Sequence, residues 1–125
     1  MSQDLASFEK TLIAGEDMSA KQYYIVQLAA DGDLEVAESA TDLIVGILQN
    51  KPEAGKAALY RFNGTSKVVT DGTPAISDWV TTDSNGKATP TTTDGNIVVG
   101  RALEAAAADG DIIEIQMSIQ HLYIA

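Results

Sequence analysis

The side chains that most often carry out catalysis are sparse in this sequence. His121 is the only histidine and cysteine is absent, so a hydroxyl nucleophile would have one candidate base. His121 lies in an apolar terminal run, and no serine stands in a GxSxG elbow. Most aspartates stand beside glycine, where turn formation explains them better than paired acid–base chemistry. The sequence therefore predicts no catalytic residue and no enzyme.

Two acidic stretches resemble oxygen-rich metal loops. They are Asp31–Glu35 and Asp83–Gly86, and neither completes the D-x-[DN]-x-[DN]-G pattern with the later glutamate that calcium loops use. Thiolate sites are excluded because there is no cysteine, and no GxxxxGK[ST] loop is present to hold a phosphate. We expect neither a metal nor a cofactor.

The length and the net charge of the chain limit the number of domains and the kinds of partner that we expect. The chain has 125 residues, 45% of them hydrophobic, and a net charge of −10. Such a length predicts one domain. The negative field repels phosphate, so we expect no binding to nucleic acid or to an anionic membrane. No signal peptide or long apolar run is visible, which favours a protein made in the cytoplasm that does not span a membrane.

One pattern occurs twice along the chain, in Leu43–Phe62 and Ile97–Met117. In each copy three apolar residues run into a glycine, and a spacer then ends at a second glycine before another β-rich run; the four glycines are Gly46, Gly55, Gly100 and Gly110. A repeat marks a supersecondary unit used more than once. The repeat predicts two similar β units, 22–62 and 76–117, with Gly46 and Gly100 at equivalent places where the backbone approaches closely or bulges.

Turn dipeptides divide the chain as in an all-β protein. Asp-Gly occurs four times and Asn-Gly twice, and both suit tight hairpins. Strand-like runs lie between them, which predicts a small β-barrel or sandwich over residues 14–125. The run Leu103–Ala108 has helix propensity, but its counterpart contains Pro52, so we expect at most one or two helical turns.

Residues 1–13 precede the repeat and carry four apolar side chains, Leu5, Phe8, Leu12 and Ile13. These are too few to form a core of their own. The segment is interpreted either as a frayed terminus or as an arm that becomes ordered on a partner.

A series of blocks resembles the bacteriophage capsid cement, or head decoration, proteins. The blocks are AGED (14–17), KQYYIVQL (21–28), IVGILQNKP (44–52), AGKAA (54–58), GTSKVV (64–69) and VVGRALEAAAADGDIIEI (98–115). Their order, spanning residues 14–117, carries the resemblance. It implies a small β-barrel that binds the outside of the assembled shell, commonly as a trimer, with the major capsid protein as partner. In that role the arm residues Leu5, Phe8, Leu12 and Ile13 would bind the capsid.

A second class of function stays open from the residues. A carbohydrate- or receptor-binding module on a virion would use Trp79, Tyr23 or Tyr60 as stacking platforms. Trp79 occupies the strand position equivalent to Ile25, which favours core packing over an exposed platform. The structural role on the outer capsid surface is the leading hypothesis.

Overall fold

The computed structural model describes residues 8–122, which form ten β-strands in two antiparallel sheets. Sheet A contains β1 (Glu9–Ile13), β2 (Ile25–Leu28), β3 (Leu34–Val36), β4 (Ile44–Leu48) and β5 (Ala57–Arg61). Sheet B contains β6 (Thr65–Val69), β7 (Trp79–Thr82), β8 (Ala88–Pro90), β9 (Ile97–Ala102) and β10 (Ile112–His121). The all-β prediction is confirmed.

The two sheets have the same strand order. Sheet A runs β1-β5-β4-β2-β3, and sheet B runs β6-β10-β9-β7-β8, so β1–β5 form unit 1 and β6–β10 form unit 2. Each sheet stays open, because its two edges meet only at an isolated bridge, Ala14 with Leu34 in unit 1 and Thr70 with Ala88 in unit 2. Of the two predicted architectures, the structure is therefore sandwich-like and is not a closed barrel.

Equivalent backbone conformations recur in the two units. Tyr23 and Ser77 precede β2 and β7, and both have a positive φ, of 70° and 77°. Tyr23 N donates to Leu48 O, and Ser77 N donates in the same way to Ala102 O, each at 2.8 Å. A left-handed conformation is uncommon for these residue types. Its recurrence at matching places shows that the repeat extends to the backbone.

The N-terminal segment belongs to the sheet from its first described strand onward. Glu9–Ile13 pairs with β5 over five residues, from Glu9 opposite Arg61 to Ile13 opposite Ala57. The domain therefore begins no later than Glu9, whereas the sequence suggests residue 14. Unit 2 has the corresponding strand in β6, so the units begin at Glu9 and Thr65, before the predicted starts at residues 22 and 76.

The stretch Leu103–Ala108 forms bends and turns. Ala106 is buried, and its N–H donates to Pro74 O at 3.0 Å. This tertiary hydrogen bond and the burial override the local helix propensity. No α-helix occurs between residues 8 and 122, and hence none with the length and apolar character needed to span a bilayer.

Two hydrophobic clusters form the core. The smaller one lies within unit 1 and contains Ala14, Met18, Val26, Leu34, Leu48, Ala58 and Tyr60. The larger one joins the two units, since Ile25, Ala37, Ile44 and Ile47 of unit 1 pack with unit 2 residues Val68, Val80, Ala88, Val99, Ala102, Ala106, Ile113, Ile115 and Met117. Unit 1 therefore buries both faces of its sheet, one against its own loops and one against unit 2.

Candidate functional site

The predicted arm residues do not form one surface. Leu5 lies outside the described residues. Phe8 is 38% exposed and Ile13 is 49% exposed, at opposite ends of β1, whereas Leu12 packs against the core cluster of unit 1. Strand pairing separates these side chains, because successive residues of a strand point to opposite faces. Only Phe8 and Ile13 of the described arm residues remain available to a partner.

An open depression lies beside Phe8. It is lined by Phe8, Glu9, Arg61, Asn63, Gly64, Thr65 and Gln116. Its charged groups satisfy each other: Arg61 donates from Nη2 to Glu9 Oε2 at 2.6 Å and from Nη1 to Thr65 O at 3.0 Å. The two charged side chains of the depression are therefore paired with each other, and the ion pair joins β1 to β5.

The histidine and the acidic side chains of residues 8–122 form no metal-binding cluster. His121 is exposed at the end of β10. No three His, Asp or Glu side chains between residues 8 and 122 are arranged to hold a metal ion.

Three aspartates come together at one end of unit 2. Asp71, Asp83 and Asp109 stand in three different turns, and Asp109 accepts a hydrogen bond from Gly72 N at 2.8 Å. The pKa of Asp71 is raised to about 6, chiefly because its carboxyl shares hydrogen bonds with Asp83 and Asp109. The pKa of Asp109 is lowered, first by the hydrogen bond from Gly72 and then by the one from Asp71. The three carboxyls therefore share a proton below about pH 6, and the hydrogen bonds that hold it connect the turns.

The predicted aromatic platform is not assembled. Tyr60 is buried, 8% exposed, and Tyr23 packs against the larger core cluster. Trp79 is half-buried on the outer face of sheet B, with the Arg101 guanidinium 4.9 Å from its ring centre. The expectation that Trp79 belongs to the core is therefore wrong. Its equivalent, Ile25, is fully buried only because unit 2 covers it.

Exposed apolar side chains mark the surfaces that remain for partners. They are Phe8, Ile13, Leu43, Ile76, Leu103 and Ile112, each between 38% and 63% exposed. Only Phe8 and Ile13 of these six were predicted from the sequence as contact residues. The repeat does not reveal the exposure of Leu43, because Leu43 aligns with Ile97, which packs against the core in unit 2. The fold defines an all-β module with exposed apolar side chains at several places on its surface.

The chain belongs to the phage cement protein family, whose match covers residues 6–118. The protein thus has a structural role in capsid decoration, at the capsid surface of a virion. No curated protein matches the sequence. The fold is similar to the crystal structure of the head fiber gp8.5 N base of bacteriophage phi29, with a TM-score of 0.70 and 19% identity. That similarity covers 93% of this chain and 98% of the other.

Proposed function

We propose that this protein binds the major capsid protein on the outside of the phage head as a homotrimer and clamps neighbouring capsid subunits together. The match to the phage cement family over residues 6–118 is the observation that carries the proposal. The exposed apolar side chains and the net charge of −10 support it. Apolar surface on a strongly acidic protein favours protein partners and disfavours the packaged nucleic acid.

Binding to the assembled shell stabilises it by mass action. A ligand that binds the assembled state more tightly than separated subunits shifts the equilibrium toward assembly. Three linked copies add to this effect, because once one copy is bound the others reach their sites at high effective concentration. Weak single contacts therefore suffice for firm attachment against the pressure of packaged DNA.

The beginning of β1 is our proposed point of contact with the capsid. Phe8 is exposed beside the Glu9–Arg61 pair, and Leu5 precedes it along the chain. Leu12 is excluded from this contact because it packs against the core cluster of unit 1. Ile13 lies at the far end of the strand and is assigned below to a different contact.

We further infer that the protein is not an enzyme. The phage cement family, which the chain matches over residues 6–118, supports this inference. Of the three platforms of the glycan-binding alternative only Trp79 is left at the surface, since Tyr60 is buried in the core cluster of unit 1 and Tyr23 packs against the larger cluster.

Light scattering and cosedimentation test the proposal. The purified chain should have a mass about three times 13.2 kDa, and it should cosediment with heads that lack it. Phe8→Asp should weaken that binding, whereas the control Ile112→Asp, which changes an exposed apolar residue far along the sequence, should not. Equal binding by both variants contradicts the role of Phe8. Failure of the wild-type protein to sediment with heads contradicts the proposed function.

A further inference from the structure

We infer that two copies of this chain associate head to tail, with a turn of unit 1 in one copy entering an open depression of unit 2 in the next. The turn, called the plug, is Ala29–Asp33. The depression, called the socket, is lined by Ser77, Asp78, Trp79, Pro90, Thr91 and Thr92. This inference rests on the proposed self-association and assigns the surface that forms it.

Within one chain, the two units already dock by a turn of one that enters a depression of the other. The turn around Gly86 in unit 2 sits in a depression of unit 1 formed by Tyr24, Ile25 and Val36. A methyl group on Gly86 would lie 2.4 Å from Val36 Cγ1 and 3.3 Å from Tyr24 Cδ2. Ile25 N donates to Gly86 O at 2.7 Å. A side chain on Gly86 would thus not fit between the units.

The equivalent depression of unit 2 is the socket. By the repeat, Asp78, Trp79 and Pro90 correspond to Tyr24, Ile25 and Val36. The socket has a volume of about 270 Å³. Trp79 is half-buried and Pro90 is exposed there, whereas Ile25 is fully buried under the Gly86 turn. The socket of unit 2 is therefore equivalent to the depression of unit 1, but no turn of the same chain within residues 8–122 fills it.

The plug has the conformation of the turn that fills the unit 1 depression. Ala29 N donates to Asp33 O at 2.9 Å, just as Asp83 N donates to Lys87 O at 2.8 Å. Gly32 and Gly86 both have a positive φ, of 89° and 81°. Gly86 is buried, whereas Gly32 is exposed, with no atom of residues 8–122 within 4 Å of where its Cβ would be.

Exposed apolar residues lie around the plug and the socket. Their equivalents in the other unit lie at the contact between unit 1 and unit 2. On the plug side, Ile13 and Leu43 correspond to Val69 and Ile97; the backbone N–H groups of Val69 and Ile97 donate to unit 1 at Tyr23 O and Ala40 O. Ile13 is 49% exposed and Leu43 is 60% exposed.

On the socket side, the exposed apolar residues are Ile76 and Leu103, which correspond to Gln22 and Gln49. Leu103 is 47% exposed and Ile76 is 63% exposed. Gln49 Nε2 donates across the internal interface to Ser66 Oγ at 2.9 Å. Since Ser66 corresponds to Lys10, the inferred contact places Leu103 of one copy beside Lys10 of the next.

The occupant that these observations specify is a second copy. Within one chain, a depression of unit 1 holds a turn of unit 2. The plug of unit 1 and the socket of unit 2 take no part in that contact. They repeat the shapes of the turn and the depression that do. Contacts between unlike faces continue from copy to copy until they close a ring. A trimer closed in this way contains six units that all dock in the same manner.

Charge substitution at Leu103 tests the contact without disturbing the core. Leu103→Lys places two lysines together at the interface, and we expect the trimer to dissociate at protein concentrations about tenfold higher than for wild type. Leu103→Glu places a carboxylate beside Lys10 and should keep the trimer. Lys10→Glu should restore association to Leu103→Lys. The control Ile112→Lys should not alter assembly. Its equivalent in unit 1, Ala57, stays exposed although the two units are docked, so the docking of units does not cover this position.

Crosslinking supplies the geometric test, because the chain has no cysteine of its own. With a short bis-maleimide, the double variant Lys10→Cys/Leu103→Cys should give a covalent three-chain band, and each single variant at most a dimer. The pair Lys10→Cys/Ile112→Cys is the control and should give little product. A wild-type chain that stays monomeric, or a trimer indifferent to Leu103→Lys and uncrosslinked by the double variant, overturns the inference. Cosedimentation with heads reports separately on the proposed function.

Discussion

Gly46 and Gly100 occupy the same position in the two units, and each leaves no room for a side chain. A methyl group on Gly46 would lie 2.2 Å from the Arg61 carbonyl oxygen, and one on Gly100 would lie 2.0 Å from the Gln116 carbonyl oxygen. Both obstacles are backbone atoms of the neighbouring strand, so they cannot turn aside as a flexible side chain would. The repeat is therefore maintained by close approach of β4 to β5 and of β9 to β10.

Alanine at either glycine should destabilise the domain strongly. We expect Gly46→Ala and Gly100→Ala each to lower the free energy of unfolding by about 3 kcal/mol, the upper part of the range for overpacking. Gly110→Asn is the control, because Gly110 has a positive φ that asparagine tolerates and no described atom near its Cβ. Urea denaturation measures all three, and losses no greater than that of the control would contradict the close approach.

Two isoleucines of β10 provide a matched test of the core. Ile115 is fully buried and Ile112 is 52% exposed. Ile115→Ala should cost about 2–5 kcal/mol, because it removes buried methyl groups and leaves a cavity. Ile112→Ala should change the free energy of unfolding by less than about 1 kcal/mol. Similar losses at the two positions would show that the inner and outer faces of sheet B are wrongly assigned.

The aspartate cluster should make stability depend on pH. The pKa of Asp71 is raised from 3.8 to about 6, so the folded chain holds this proton more tightly than the unfolded chain. Its stabilising contribution is complete below the unfolded pKa and is lost as the pH rises through about 6. Asp71→Asn should therefore melt at a higher temperature than wild type at about pH 7.5, with the difference shrinking toward about pH 5.

Glu53→Gln controls for the simple loss of one negative charge, since Glu53 is exposed in a different loop. Melting curves at several pH values give the comparison. A constant difference between Asp71→Asn and wild type across the range would rule out the shared proton as its cause.

Removal of β1 should destabilise unit 1. A chain lacking residues 1–13 loses the strand paired with β5, the Glu9–Arg61 ion pair and the packing of Leu12. We expect its melting temperature to fall by several degrees or more, since about 1 kcal/mol corresponds to roughly 2–8 °C over the range of domain sizes that includes this one. A chain lacking only residues 1–7 keeps all described strands and is the control. Equal melting of both truncated chains would show that β1 contributes little.

The repeat could be predicted from the sequence because Gly46 and Gly100 are required where the backbone leaves no room for a side chain. The predicted start of each unit is too late, because β1 pairs with β5 across some 50 positions and nothing local in residues 9–13 reveals that partner. The block GTSKVV (64–69) carries the available signal, since it contains β6, the counterpart of β1. Extending the repeat backward to include it would have identified residues 9–13 as a strand.

Burial could not be predicted from the repeat alone. Ile25 and Trp79 are equivalent in sequence and in strand position, yet only Ile25 is fully buried. The difference arises because the units dock through unlike faces, so a position covered in unit 1 is uncovered in unit 2. A single sequence records that two units are alike, but it does not record which face of each meets the other.

Two prolines show how the repeat tolerates local change. In unit 1 Met18 N donates to Pro52 O at 2.9 Å, and in unit 2 Ala106 N donates to Pro74 O at 3.0 Å. Met18 corresponds to Pro74, and Pro52 corresponds to Ala106. The residue that donates in one unit is therefore the equivalent of the residue that accepts in the other. Proline has no N–H and can only accept. Each unit therefore has its proline on the accepting side.

The measurement that tests the capsid role most directly is the temperature at which phage heads release their DNA. Heads lacking this protein should release DNA at a lower temperature than heads to which the purified chain has been added, and the rise should saturate as the binding sites fill. Monomeric variants should give a smaller rise at the same concentration. An unchanged release temperature in heads that carry the bound protein would contradict the account.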